Sequence, residues 1–167
     1  MIFMEAIFES SFWCGANPLY IQTLTITNKI ANEELEYEVI IIDSFISGAI
    51  CPDYIADLCK IYKVRLIYAN RNLTFPGQAR NIGLSLAKTE YVAFVDVQTI
   101  PRPYWLESSL DLLSKKDVDG IFGNTCFVAE TWFEKLIRDA FFGVLPRKTL
   151  QGSIFKRRVF ERAGNFI

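Results

Sequence analysis

Four side chains stand where a strand end or a helix start would present them to a ligand: Asp43, Arg80, Asp96 and Gln98. Asp43 closes the run YEVIIID (37–43) and Asp96 closes YVAFVD (91–96). A carboxylate at a strand end can accept hydrogen bonds from a ligand's N–H groups. Asp followed by Ser and Gly, as in DSFISG, also makes turns and helix caps, so both readings stand for Asp43. Arg80 lies in the first turn of a helical pattern after Pro76 and Gly77. The helix dipole there disfavours a cation by roughly 0.3–1 kcal/mol unless an anion is near. A phosphate reverses that sign through charge-assisted hydrogen bonds. An ion pair with Asp96 or Asp43 reverses it too, and Arg80 then braces the site without touching a ligand. Two carboxylates at the spacing of Asp96 and residue 98 can hold Mg2+ or Mn2+ through oxygen. Such a cation neutralises a diphosphate leaving group. Gln98 brings a carbonyl oxygen and no charge, and one unit charge at about 4 Å counts for roughly 4 kcal/mol at an effective dielectric near 20.

Composition removes other chemistries. The 167 residues contain no histidine, so histidine triads and histidine bases are excluded. Cys14, Cys51, Cys59 and Cys126 form no Cys-x-x-Cys pair, which argues against a zinc site and for a reduced, cytoplasmic setting. A net charge of −1 gives no field to recruit nucleic acid. Glu5 and Glu9 sit where a signal peptide would be positive, and the uncharged run from Glu9 to Lys29 contains Asn17, Pro18 and Gln22, which disfavours a membrane span.

Consecutive apolar, β-branched runs at 37–43, 64–69, 91–96 and 119–128 read as buried strands, with a first strand within 2–9. Between them lie helical stripes: Ile55, Leu58, Cys59 and Tyr62; Ala79, Ile82, Gly83, Leu86 and Ala87; Leu106, Leu110 and Leu113. Alternation of this kind predicts one α/β domain over 1–167 with a mostly parallel sheet and ligands at the strands' carboxyl ends. The segment 70–78, NRNLTFPGQ, is expected as a mobile loop there. The stripe of Phe133, Ile137 and Phe141 within 130–146 is expected to pack on the sheet, and the basic run 155–164 to form a solvated helix face.

EVIIIDS, GQARNIGLSLAKTEYVAFVDVQTIPRPYWLE and GSIFKRRVFERAGNF, in this order and spacing, resemble the family 2 glycosyltransferases over roughly residues 37–166. The resemblance implies a GT-A fold, a Rossmann-like three-layer sandwich, and inverting transfer of a sugar from a nucleotide-sugar donor to an acceptor hydroxyl. It implies polysaccharide or glycolipid biosynthesis, with a carbohydrate or lipid-linked acceptor and peripheral membrane contact. It makes Asp43 the base-binding carboxylate, Arg80 the diphosphate-side arginine, Asp96 the first carboxylate of the Asp-x-Asp motif, and Gly152 and Ser153 part of the acceptor side. It implies a divalent cation, Mg2+ or Mn2+, at Asp96 and residue 98, where Gln98 departs from the family's second carboxylate. The family continues beyond the AGNF segment to an acidic catalytic base, so the acceptor and base portion is expected to be missing. Asp53, Glu107, Glu130 and Glu134 are the acids left without a motif. These departures define the alternative, a non-catalytic relative that binds nucleotide-sugars or serves in assembly.

Overall fold

A strand built from YEVIII or YVAFV has no polar face, so both of its faces must be covered. The computed structural model describes residues 4–10, 37–45, 57, 59–61, 64–70, 76–96, 99 and 101–167. In it β1 (Met4–Ser10), β2 (Tyr37–Phe45), β3 (Arg65–Asn70) and β4 (Tyr91–Asp96) run parallel, with β1 between β2 and β4. Val39 to Ile42 and Val92 to Val95 are buried in unbroken runs. Helices supply the cover. Val92 and Phe94 pack with Ile40, Ile42 and the Ala79, Leu84 and Ala87 stripe of α1 (Pro76–Leu86) and the residue after it. Ala93 points the other way, into Leu106, Leu110 and Leu113 of α2 (Trp105–Lys115). Two of the three expected stripes therefore cover opposite faces of one α/β sheet, and Ile55, Leu58 and Tyr62 of the other lie outside the described residues.

The sheet continues beyond β4 with reversed polarity. β6 (Arg147–Lys156) pairs antiparallel with β4, and β5 (Gly120–Thr125) pairs antiparallel with β6, giving the order β3-β2-β1-β4-β6-β5. The segment 119–128, expected as a buried strand, is the shorter β5, and its Phe122 is exposed. Lying at the end of the order, β5 has a strand neighbour on one side. β6 is an element that the apolar-run criterion passed over, because Thr149, Gln151 and Ser153 alternate with Leu150, Gly152 and Ile154.

One surface expectation changes, and another gains detail: Arg158 and Arg162 of the basic run are exposed as expected. The stripe in 130–146 does not pack on the sheet. α3 (Trp132–Ile137) and the π-helical turn that continues it (Arg138–Phe142) bury no residue, and Trp132, Phe141 and Leu145 are 77%, 70% and 77% exposed. A Thr131 capping box starts this helix instead: Thr131 Oγ1 accepts the Glu134 N–H, and the Glu134 carboxylate accepts the N–H groups of Thr131 and Glu130. The basic run contributes to α4 (Arg158–Ala163), and its cations are ion-paired. Arg158, Lys156 and Arg162 converge on Asp119. Residues 71–75 of the expected loop lie outside the described residues, and 76–78 form the start of α1. Among the described residues no helix is long and apolar enough to cross a membrane.

Candidate functional site

The carboxyl ends of the parallel strands bring two of the predicted acids to one rim. Asp96 is the last residue of β4 and aligns with Glu9 of β1; Asp43 of β2 aligns with the next β1 residue, Ser10. One strand separates them, so their backbones stand about 10 Å apart, twice the usual strand spacing. β2 continues past Asp43 to Phe45, so Asp43 precedes the strand end by two residues. The Thr99 N–H donates to the Asp96 carbonyl at 2.9 Å. Gln98 and Asp53 lie outside the described residues.

Arg80 reaches this rim from α1. The helix begins at Pro76, a residue suited to the first helical position, so Arg80 is its fifth residue and lies beyond the first turn. Its Nη2 donates to Asp96 Oδ1 at 3.4 Å, with both side chains mostly buried. Its guanidinium also lies over the Phe166 ring, 5.9 Å from the centroid. Phe166 in turn stacks edge-on against Phe94 of β4 and sits beside Phe160 of α4. Asn81, next to Arg80, clasps the Phe166 main chain. The ARN triplet thus performs two tasks: Arg80 faces the acid, and Asn81 fixes the aromatic ring that supports Arg80.

Sequence reasoning missed Gln151. It lies in β6, and its Nε2 donates to Asp96 Oδ2. A bulge aims it. Between Ile121 and Gly123 of β5 the partner on β6 jumps from Ile154 to Thr149, so β6 carries excess residues there. Gly152 takes φ 73°, a conformation that glycine tolerates and side chains resist. The fully buried Ser153 locks the bulge: its hydroxyl donates to the Thr149 carbonyl at 2.7 Å and accepts the Gly123 N–H at 2.8 Å. The Thr149 and Thr125 hydroxyls bond each other at 2.6 Å and lie 3.1 and 3.3 Å from the Gln151 carbonyl, which accepts the proton left over. Trp105, at the start of α2, donates its indole N–H to the Gly152 carbonyl at 2.9 Å. The Gly152–Ser153 pair therefore shapes the rim through its backbone, with the Ser153 hydroxyl engaged inside the protein. A Gly with flanking polar alternation was the sequence signal for this bulge.

The acids without a motif differ in availability. Glu134 is engaged in the capping box, and backbone N–H donation from Thr131 and Glu130 holds its pKa below the usual carboxylate value. Glu107 sits in the first turn of α2, and its Oε2 is buried with no hydrogen-bond partner. The donors near Asp96 do not suit a divalent cation. One Asp96 oxygen faces a guanidinium and the other an amide N–H. No group of three or more acidic, cysteine or histidine side chains that could hold a metal occurs among the described residues.

A stretch of 78 residues is 32% identical to Glycosyltransferase GlyG of Streptococcus pneumoniae serotype 4, covering 47% of this chain and 25% of that protein. Another alignment, of 76 residues at 36% identity, is to the pre-mycofactocin glycosyltransferase of Mycobacterium tuberculosis, covering 43% of this chain and 15% of that protein. The fold is similar to that of TarS residues 1–349 from S. aureus, with TM-score 0.67, 17% identity and coverage of 98% of this chain and 49% of that one. It is also similar to the mannosyltransferase PcManGT of Pyrobaculum calidifontis, solved with GDP-Man and Mn2+, with TM-score 0.64, 21% identity and coverage of 98% and 47%. These likenesses give the chain the GT-A fold. It spans about half the length of these two structures and a quarter or less of these two curated relatives. The sequence pattern of glycosyl transferase family 2 runs through residues 22–166, and the chain belongs to that family.

Proposed function

We propose that this domain binds a nucleotide-sugar donor across the carboxyl ends of β2, β1 and β4 and transfers its sugar, with inversion, to an acceptor hydroxyl. The observation that carries the reading is the Arg80–Asp96 pair at the β4 end, 3.4 Å between Nη2 and Oδ1, on a family 2 fold. Asp43 contacts the base, Asp96 the ribose and Arg80 the diphosphate. The acceptor oxygen attacks the anomeric carbon opposite the leaving group. The new C–O bond forms as the bond to the diphosphate oxygen breaks, and that oxygen keeps the electron pair. Arg80 stabilises the charge that develops there, and the acceptor's proton passes to a base. The acceptor approaches past the Gly152–Ser153 bulge. The nature of the two relatives solved with donors, one with UDP-GlcNAc and one with GDP-Man, supports a nucleotide-sugar as ligand class. A carbohydrate or lipid-linked acceptor fits the exposed apolar side chains of α3, which offer peripheral contact with a bilayer.

Titration calorimetry with UDP-, GDP- and dTDP-sugars tests the reading. Binding by at least one, weakened about 10- to 100-fold in Arg80→Ala through loss of a charge-assisted hydrogen bond, is expected. No binding by any of them to folded protein overturns it. The second reading, a donor-binding relative without turnover, is favoured by the engagement of both Asp96 oxygens; sugar transfer by this chain would exclude it.

A further inference from the structure

We infer that the donor site of this protein works without a divalent cation: Gln151 and Arg80 occupy the coordination sphere of Asp96, and Arg80 supplies the positive charge that a metal would bring. The diphosphate part of this inference rests on the donor reading above; the statement about Asp96 does not.

A carboxylate that ligates a hard cation must turn at least one oxygen to it. Asp96 Oδ1 faces the Arg80 guanidinium at 3.4 Å, and Oδ2 accepts the Gln151 amide N–H. Neither partner is loosely held. Gln151 projects from a bulge fixed by Gly152 at φ 73°, by the two-way Ser153 hydroxyl and by the bonded pair of Thr125 and Thr149 hydroxyls at its own carbonyl. Arg80 is backed by the Phe166 ring, which packs against Phe94. A cation on Asp96 would have to displace the amide and sit beside a permanent positive charge. In sequence, position 98 holds an amide, Gln98, which brings no second negative charge. Gln151 is thus a positioning residue: it holds Asp96 toward Arg80 and fills the place of a ligated ion.

The test uses Mn2+ as its probe. The free-Mn2+ electron paramagnetic resonance signal is titrated with wild-type protein, Asp96→Asn, Gln98→Asp and Gln151→Glu, each checked for native circular dichroism. In parallel, donor affinity is measured by calorimetry in EDTA and in Mn2+ with the same nucleotide-sugar panel. Wild-type protein is expected to leave the free-Mn2+ signal unchanged. Gln151→Glu, which sets a carboxylate against Asp96, is expected to raise Mn2+ affinity about tenfold or more, a gain that a merely structural role for Gln151 would not produce. Donor Kd values in EDTA and Mn2+ are expected to agree within about twofold. Depletion of the signal by wild-type protein that Asp96→Asn abolishes overturns the inference. So does donor binding that vanishes in EDTA and returns with Mn2+. Failure of every donor in both buffers overturns the donor reading instead, and the resonance titration alone then decides the metal question.

Discussion

The side chain of Asn81 pairs with the main chain of Phe166 as a neighbouring strand would: its amide donates to the Phe166 carbonyl at 2.8 Å, and its oxygen accepts the Phe166 N–H at 2.9 Å. Residues 85 apart in sequence are thereby joined next to Arg80. Gly77 makes the approach feasible, since a Cβ there would stand 3.2 Å from both the Phe166 Cβ and the Ile167 carbonyl oxygen. The geometry of the candidate site therefore depends on the segment after α4 as much as on the strand rim.

Asn81→Ala removes both bonds at once. The expected loss is about 1–3 kcal/mol, the sum of two hydrogen bonds of ordinary strength. Urea denaturation should show a lower midpoint with an unchanged slope. An unchanged midpoint would mean that the clasp contributes nothing to stability.

The bulge in β6 predicts a contrast between two small substitutions. Ser153→Ala leaves the Gly123 N–H and the Thr149 carbonyl without their partner in a buried place, at a cost of about 1–3 kcal/mol. Gly123→Ala puts a methyl 2.1 Å from the Gln151 carbonyl oxygen, so β5 and β6 must separate. It should also displace Gln151 and weaken donor binding, which calorimetry reads directly. Equal donor affinity in folded Gly123→Ala and wild-type protein would disconnect the bulge from the site.

Asp119 predicts an acid-sensitive tether. Hydrogen bonding from Arg158, then the charges of Arg158, Lys156 and Arg162, hold its pKa below the ordinary 3.8. A depressed folded-state pKa gives stability that is present above the unfolded value and lost as pH falls through the folded one. Asp119→Asn should therefore melt earlier than wild type at neutral pH, and the gap should close as pH falls from 3.8 through the lower folded-state pKa. A gap that persists in acid would assign the effect to something other than this carboxylate.

The uncovered face of α3 predicts association with anionic vesicles. Lys135, Arg147 and Lys148 are exposed in the same stretch of sequence as Trp132, Phe141 and Leu145, a mixture of cations and apolar side chains that suits a charged bilayer surface. Cosedimentation should occur with anionic vesicles and fall about tenfold or more in Trp132→Ser/Phe141→Ser, given about 1.5–3 kcal/mol for each large apolar side chain buried. Equal recovery of the double variant with the vesicles would refute the assignment.

The parallel half of the sheet and the place of Asp96 were legible because burial on both faces leaves unbroken apolar runs, and because Leu106, Leu110 and Leu113 keep helical spacing. β6 was not legible: its alternating polar residues answer to a bulge and to a distant indole, Trp105, which local pattern does not encode. Gln151 stayed hidden with it. The α3 stripe misled, since periodicity reports that one face is apolar and not what covers it. The three-segment resemblance located Arg80, yet the Phe166 ring behind it emerges only from long-range pairing.

The placement of β5 at the end of the strand order has a practical outcome for handling the molecule. Its outer rank of peptide groups meets no strand among the described residues, and Phe122 lies 59% exposed. Such a border is a template for backbone addition regardless of side-chain identity. Concentrated samples should self-associate through it, and a lysine at position 122 is the simplest gatekeeper against fibrous or lateral growth.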